Sequence, residues 1–420
     1  MAKVFPFQPY RYTPSAGPLE NLVTQPYDKI SPEMRERYLG LSPYNLVRII
    51  LGKKSGTDSD GDNIYTRAAA HLNDWIGSGI LSRETEPSFY AYFQQFTDPD
   101  SGALCVRKGF IGVCQLEEYS AAVVHRHEQT LSGPKKDRRE VLSHTQAHFG
   151  QIFMLYRDPE QAVDRILDEA SQSAPLGTVT DDYRVVHTLW KISEPAMAAK
   201  IQQLMDDKKL IIADGHHRYE TALGYSKESP KSDAQRVMMT FVNMNASGLR
   251  ILATHRLVRG LDGFSPEALL AKLKAIGQVE TFPTRDAFKA AFSTPDPGKI
   301  RIGVTFPGDK SIQHLELHQV ELDRPTGGLD VNFLHERILD GALGISVEAV
   351  REEKYLKYIR GIDAACELVA NNQAQVGFLL QPTTVEQVAE VSFGFGVMPQ
   401  KSTDFYPKLL SGLTIYRLEK

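Results

Sequence analysis

The chain has 420 residues and a mass of 46.9 kDa, room for two or three domain-sized units. Its 42% hydrophobic and 24% charged residues describe a globular protein and exclude a disordered or fibrous one. Forty-eight Lys and Arg against 52 Asp and Glu give a net charge of −4, which excludes a nucleic-acid or membrane-surface binder by bulk charge and makes any basic site local. Cys105, Cys114 and Cys366 are too few for a disulfide framework and suit a reducing cytoplasm. Met1–Phe7 lacks the apolar core of a signal peptide, and no run reaches transmembrane length. A cytoplasmic protein with neither nucleic-acid nor membrane partner is expected.

The first fifty residues are rich in Pro and Tyr (Gln25-Pro26-Tyr27-Asp28, Ser42-Pro43-Tyr44-Asn45), which predicts turns and short extended pieces, with one helix at Pro32–Leu39 and a strand at Leu46–Leu51. Residues 52–63 hold little that is apolar. Asp58–Asp62 hints at a calcium loop but fails at Asn63 and Ala69, so it reads as a solvated loop. Ile64–Trp75 has helical spacing. Phe89–Phe96 and Gly109–Leu116 read as a strand pair joined by the Asp98–Gly102 turn. Ala121–Val124 reads as a strand. Helices at 137–147, 159–170, 194–204 and 217–224 then alternate with strands at 152–156, 183–189, 209–213 and 236–243, which points to a mixed α/β or α+β architecture. Gly260–Gly263 is the candidate boundary between an N-terminal region, 1–260, and a C-terminal α/β region, 261–420. In the latter, helices are predicted at 266–276, 285–292, 330–339, 361–371 and 385–391 and strands at 299–306, 313–317 and 375–380.

The sharpest chemical signal is Leu210-Ile211-Ile212-Ala213-Asp214-Gly215-His216-His217-Arg218. An apolar strand runs into Asp-Gly and then into a helix start, where free N–H groups and the helix dipole favour an anion. Gly215 would let a phosphate approach the backbone, and Arg218 would offer it a planar fork. Asp214 is a candidate helix cap, metal partner or histidine orienter. The competing reading, a capped helix with buried His and a surface Arg, leaves four successive polar residues at the end of a buried strand to be satisfied.

A second signal is His125-Arg126-His127-Glu128-Gln129-Thr130, followed by Lys135, Lys136, Arg138 and Arg139. Glu128 beside Arg126 and His127 is a candidate general base. Lys136 and Arg139 read as an ordinary basic helix start. His144 and His148, four apart on the expected helix, could join His125 and His127 as a zinc face, although His-Glu-x-x-His fails because Leu131 stands at the second His position. A third signal is Met398–Lys408, a Pro-stiffened loop with Lys401, Ser402, Thr403 and Lys408 suited to phosphate or carboxylate capture. The Walker P-loop, the kinase catalytic loop, the Gly-x-Ser-x-Gly elbow and the dinucleotide glycine turn are absent.

Gln25-Pro26-Tyr27-Asp28, Ser42-Pro43-Tyr44-Asn45, Arg126-His127-Glu128-x-Thr130, Asp214-Gly215-His216-His217-Arg218 and Pro399-x-Lys401-Ser402-Thr403 occur in this order. Together they resemble a large bacterial and archaeal family of unknown function over nearly the whole chain. The Asp-Gly-His-His-Arg motif is similar to the phosphate-binding turn of the ParB/sulfiredoxin-like superfamily, which includes CTP-binding switches, sulfiredoxin and an ADP-dependent free serine kinase. That resemblance implies a ParB/sulfiredoxin-like nucleotide-binding core with an additional α/β C-terminal region, whose 394–412 loop is expected to return to the site.

On this reading the function is a nucleotide-dependent phosphotransferase acting on a hydroxyl-bearing metabolite, free serine being one. ATP or ADP and Mg²⁺ are the implied cofactors. Gly215, His216 and Arg218 would bind phosphates, Asp214 would act near Mg²⁺, and His217 would join the catalytic group. Arg126 and Lys401 would neutralise developing charge, and Ser402 and Thr403 would join the cofactor-binding set. Glu128 would deprotonate the acceptor, with Glu33 or Glu36 in reserve. Sulfiredoxin chemistry lacks a Cys beside the motif. The alternatives are a non-catalytic CTP or ATP switch and a metal-dependent hydrolase. The oligomeric state is left open.

Overall fold

The computed structural model describes residues 1–128, 132–294, 296, 298–309, 311–318 and 329–419. Thr130, which closes the Arg-His-Glu-x-Thr motif, lies outside the described residues. The chain divides into two units.

The first unit comprises Met1–Arg126, Thr130–Arg250 and Pro407–Lys420. Among its described residues nine strands form one mixed sheet. Its order is Val124–His125, Leu210–Asp214, Ile152–Tyr156, Arg236–Asn243, Leu104–Gln115, Phe89–Thr97, Val186–Ile192 and Gly177–Thr180, with Val4–Phe5 also paired to Leu104–Gln115. Neighbours are antiparallel except Val124–His125 with Leu210–Asp214 and Ile152–Tyr156 with Arg236–Asn243. Ile152–Tyr156 is buried at every position, which accounts for its unbroken apolar sequence. Val163, Leu167, Ile201 and Met205 from helices Ala162–Ala170 and Pro195–Met205 close on Phe110, Met154, Ile212 and Phe241 to form the main core. A second core gathers Ala68, Leu72 and Trp75 of helix Ile64–Gly77 with Ile49, Ile50 and Ile415.

Two expectations fail here for identifiable reasons. Leu46–Leu51 is not a strand. Val47–Ile50 is a short helix, started by the buried Asn45 side chain, whose Oδ1 accepts the Val47 N–H at 2.9 Å. Leu46, Val47, Ile49 and Ile50 are buried around a half-buried Arg48, a run too short for apolar spacing to separate the two states. Ala121–Val124 is not a strand either. A 3₁₀ turn at Tyr119–Ala121 delays the strand to Val124–His125, leaving no long alternating face for the histidines.

The second unit comprises His127–Gln129 and Ile251–Tyr406. Among its described residues a six-stranded sheet runs Gln278–Phe282, Ile312–His318, Lys299–Thr305, Val376–Leu380, Thr254–Val258 and Leu356–Arg360, antiparallel throughout. Phe288, Phe292, Ala365 and Val369 from two helices pack with Leu257, Ile312 and Leu379. The Gly260–Gly263 turn falls just past Thr254–Val258, which already belongs to this sheet. The single helix expected at 330–339 is an α-turn, Asp330–Phe333, followed by a π-helix, Leu334–Asp340. The wider turn keeps Leu334, Ile338 and Leu339 buried, so the apolar pattern conceals it.

The architecture is therefore a mixed α/β fold with a large mixed sheet. No helix among the described residues is long and apolar enough to cross a membrane.

Candidate functional site

Strand Leu210–Asp214 is buried up to its last residue, where the register opposite Ile152–Tyr156 slips between Ile212 and Asp214. Such an irregularity re-aims the strand's final side chain. Gly215 follows with φ 98° and ψ 26°, left-handed backbone that suits glycine, and caps helix His216–Ser226. The expected strand–glycine–helix turn is thus present, with His216 buried and His217 half-buried.

Arg218 folds back over that turn. Its Nη2 donates to Asp214 Oδ2 at 3.0 Å, and its Nη1 donates to the Gln151 carbonyl at 2.5 Å. A Cβ on Gly215 would lie 2.9 Å from Arg218 Nη2, and one on Gly150 would lie 3.2 Å from Nη1 and 3.0 Å from Ser411 Oγ. The space expected for a phosphate against bare backbone is thus taken by the guanidinium itself.

Lys408 reaches Asp214 Oδ1 at 3.6 Å, with its own side chain only 9% exposed. Burial alone would raise the Asp214 carboxyl. Lys408, Arg218, Lys29 and His216 outweigh it and hold the group well below the usual carboxylate range. Pro26, Tyr27, Arg138, Gly150, Arg218 and Ser411 line the adjoining cleft, where Arg138 stacks 4.0 Å above the Tyr27 ring. Arg126 stacks on Tyr119 and lies 3.7 Å from Glu220 on the turn's own helix. Lys408 belongs to the loop expected to capture phosphate and Tyr27 to the Gln-Pro-Tyr-Asp motif, yet the sequence places neither beside Asp214, and it does not mark Lys29 or Gly150 at all. The four come from segments far apart in the chain, so no local pattern shows that they meet at this turn.

The second unit brings two other motifs together. Met398 N–H donates to the His127 carbonyl at 2.8 Å, and Glu128 bridges to Met398 in parallel. Glu128 Oε1 accepts the Lys401 N–H at 3.2 Å, and His127 Nε2 lies 2.7 Å from Thr403 Oγ1. Ser402 Oγ donates to the Pro399 carbonyl, and the Lys401 carbonyl accepts from buried Arg256 at 3.1 Å. The two hydroxyls expected to capture phosphate are already engaged, Ser402 inside its own loop and Thr403 with His127.

The zinc face does not form. His144 ends a helix and stacks on Tyr65, whereas His148 lies in strand Ala147–His148 and stacks on Tyr416. The helix stops at Thr145, so the two are not one helical turn apart. His125 Nε2 lies 3.1 Å from the Ala122 carbonyl. Among the described residues no three His, Cys, Asp or Glu side chains gather as metal ligands.

Residues 4–332 match the family described as "Protein of unknown function (DUF1015)". No curated protein matches the chain. Among solved structures it is similar to a free serine kinase in complex with AMP, at 14% identity and a TM-score of 0.37 over 71% of this chain and 88% of that one. It is similar to a conserved hypothetical protein from Pyrococcus furiosus, at 13% and 0.33 over 69% and 91%. It is also similar to SbnI with C-terminal truncation from Staphylococcus aureus, at 9% and 0.36 over 73% and 87%. All three likenesses are distant.

Proposed function

The chain belongs to that DUF1015 family, and on this premise we propose a nucleotide-dependent phosphotransferase whose donor phosphates bind at the Asp214–Arg218 turn and whose acceptor is a small hydroxyl-bearing metabolite, free serine being one. The observation that carries the reading is electrostatic. Arg218 and Lys408 converge on one carboxylate at the start of a helix, where convergent cations and the helix dipole both favour a polyanion. Phosphoryl transfer needs positioning and charge neutralisation more than covalent help from the protein.

The phosphate meets the turn through the Arg218 fork and the Lys408 ammonium, not through bare amides, because Arg218 covers Gly215. Asp214 aims these two cations. Its oxygens face Arg218 and Lys408, so we assign no metal step to it. Mg²⁺ arriving with the nucleotide would supply further charge neutralisation.

The test is a thermal-shift series with ATP, ADP, CTP and pyrophosphate, with and without Mg²⁺, followed by phosphorus NMR with hydroxyl metabolites. A ligand at about 100 times its Kd stabilises by roughly 2.7 kcal/mol, a rise of a few degrees. A rise that disappears in Lys408→Ala supports the site. Nucleotide binding with no transferred phosphate would favour the switch reading, and no shift with any of the four would overturn both.

A further inference from the structure

Three polar side chains stand in register across adjacent strands of the first sheet. His187 is opposite Gln94, and Gln94 is opposite Arg107. All three are at most 1% exposed, and Tyr92, two residues before Gln94 on the same strand face, is 2% exposed. A buried polar row in a sheet is costly unless every member is bonded.

Its bonds have a direction. Asp181 Oδ1 accepts the Tyr183 and Val185 N–H groups at 2.9 Å each. Asp181 Oδ2 accepts Gln25 Nε2 at 2.8 Å and faces His187 Nε2 at 3.1 Å. An ionised carboxylate only accepts, so the His187 proton sits on Nε2 and leaves Nδ1 as an acceptor. Tyr92 OH, 2.7 Å from Nδ1, then donates to it and turns a lone pair to the Leu410 N–H at 3.3 Å. Gln94 Nε2 donates to the Lys408 carbonyl at 2.9 Å, while Gln94 Oε1 accepts Arg107 Nε at 3.0 Å. Arg107 also donates to the Pro407 carbonyl, with its guanidinium 4.5 Å above the Phe153 ring. Phe153 pairs with Asp214 in the neighbouring strand.

We propose that Tyr92, Gln94 and Arg107, oriented by Asp181 and His187, are positioning residues that pin the Pro407–Leu410 backbone and thereby hold Lys408 against Asp214. The consequence for ligand binding rests on the phosphate site proposed above. The relay also gives Gln25, the first residue of the Gln-Pro-Tyr-Asp motif, a physical role, since it fixes the Asp181 carboxylate that sets the His187 tautomer.

The test reads Lys408 directly in the full-length protein. Acylation of Lys408 by a water-soluble N-hydroxysuccinimide ester, followed by peptide mass spectrometry, is slow while the side chain is held. The expected result is faster labelling of Lys408, relative to exposed lysines such as Lys53, in both Tyr92→Phe and Gln94→Leu, together with weaker pyrophosphate binding. A purely structural role would lower the melting temperature and leave that ratio unchanged. An unchanged ratio in both folded variants overturns the proposal. Because labelling needs no ligand, a wild-type protein that ignores pyrophosphate would sink the phosphotransferase reading while the labelling still decides the relay.

Discussion

Arg218 packs over Gly215. The guanidinium crowds the place where a side chain on residue 215 would begin, with Nη2 at 2.9 Å and Cζ at 3.1 Å from the position of a Cβ. The Asp-Gly-His-His-Arg motif is therefore a self-contained clasp, in which the last residue closes over the second and bonds the first.

Gly215→Ala is expected to destabilise the protein by about 1–3 kcal/mol, since alanine meets both the left-handed backbone and the guanidinium. Urea denaturation measures it. Adding Arg218→Ala removes the contact but not the backbone strain, so the double variant should cost less than the sum of the two singles. A neutral Gly215→Ala would mean the turn relaxes freely.

Asn45 is fully buried. Its Nδ2 donates to the Asn21 carbonyl at 2.7 Å, and its Oδ1 caps Val47 at 2.9 Å. Asn45→Ala leaves both partners unsatisfied and is expected to cost about 2–4 kcal/mol. A melting temperature within a degree of wild type would show that the motif's asparagine serves something other than this turn.

His255 is buried, and its Nδ1 accepts the Leu380 N–H at 3.2 Å. Burial first, then Arg256, lowers it to about 4. The unfolded chain binds its proton near pH 6.5, so between those values the unfolded state holds more protons. The stabilisation from the neutral ring is whole above about pH 6.5 and is lost as pH falls towards 4, by up to about 3 kcal/mol. Urea midpoints at pH 7 and 4.5 should converge in His255→Gln relative to wild type. An identical pH dependence in both proteins would show that the ring protonates without cost.

Much of the fold is local and was legible. Strands Ile152–Tyr156 and Arg236–Asn243 and helices Pro266–Ile276 and Arg285–Phe292 fall where apolar spacing and capping residues put them. The Asp214 turn was legible for the same reason, being one strand end, one glycine and one helix start. Leu46–Leu51 differs from expectation because six residues with one charged member, Arg48, are too few for apolar spacing to separate strand from helix. Lys408 was illegible as a partner of Asp214 because the His187–Gln94–Arg107 row that bears on its segment exists only once three strands are in register. Ser402 and Thr403 are legible as a motif, but their engagement, Ser402 with Pro399 and Thr403 with the distant His127, is not.

The most direct measurement of the central claim is calorimetric titration with adenosine, AMP, ADP and ATP at one ionic strength. If phosphates bind at the Arg218–Lys408 cluster, affinity rises from adenosine to AMP to ADP, and Lys408→Ala flattens that ladder while adenosine is unaffected. Equal affinity for adenosine and ADP, or a ladder that survives in Lys408→Ala, would place the phosphates elsewhere and contradict the account.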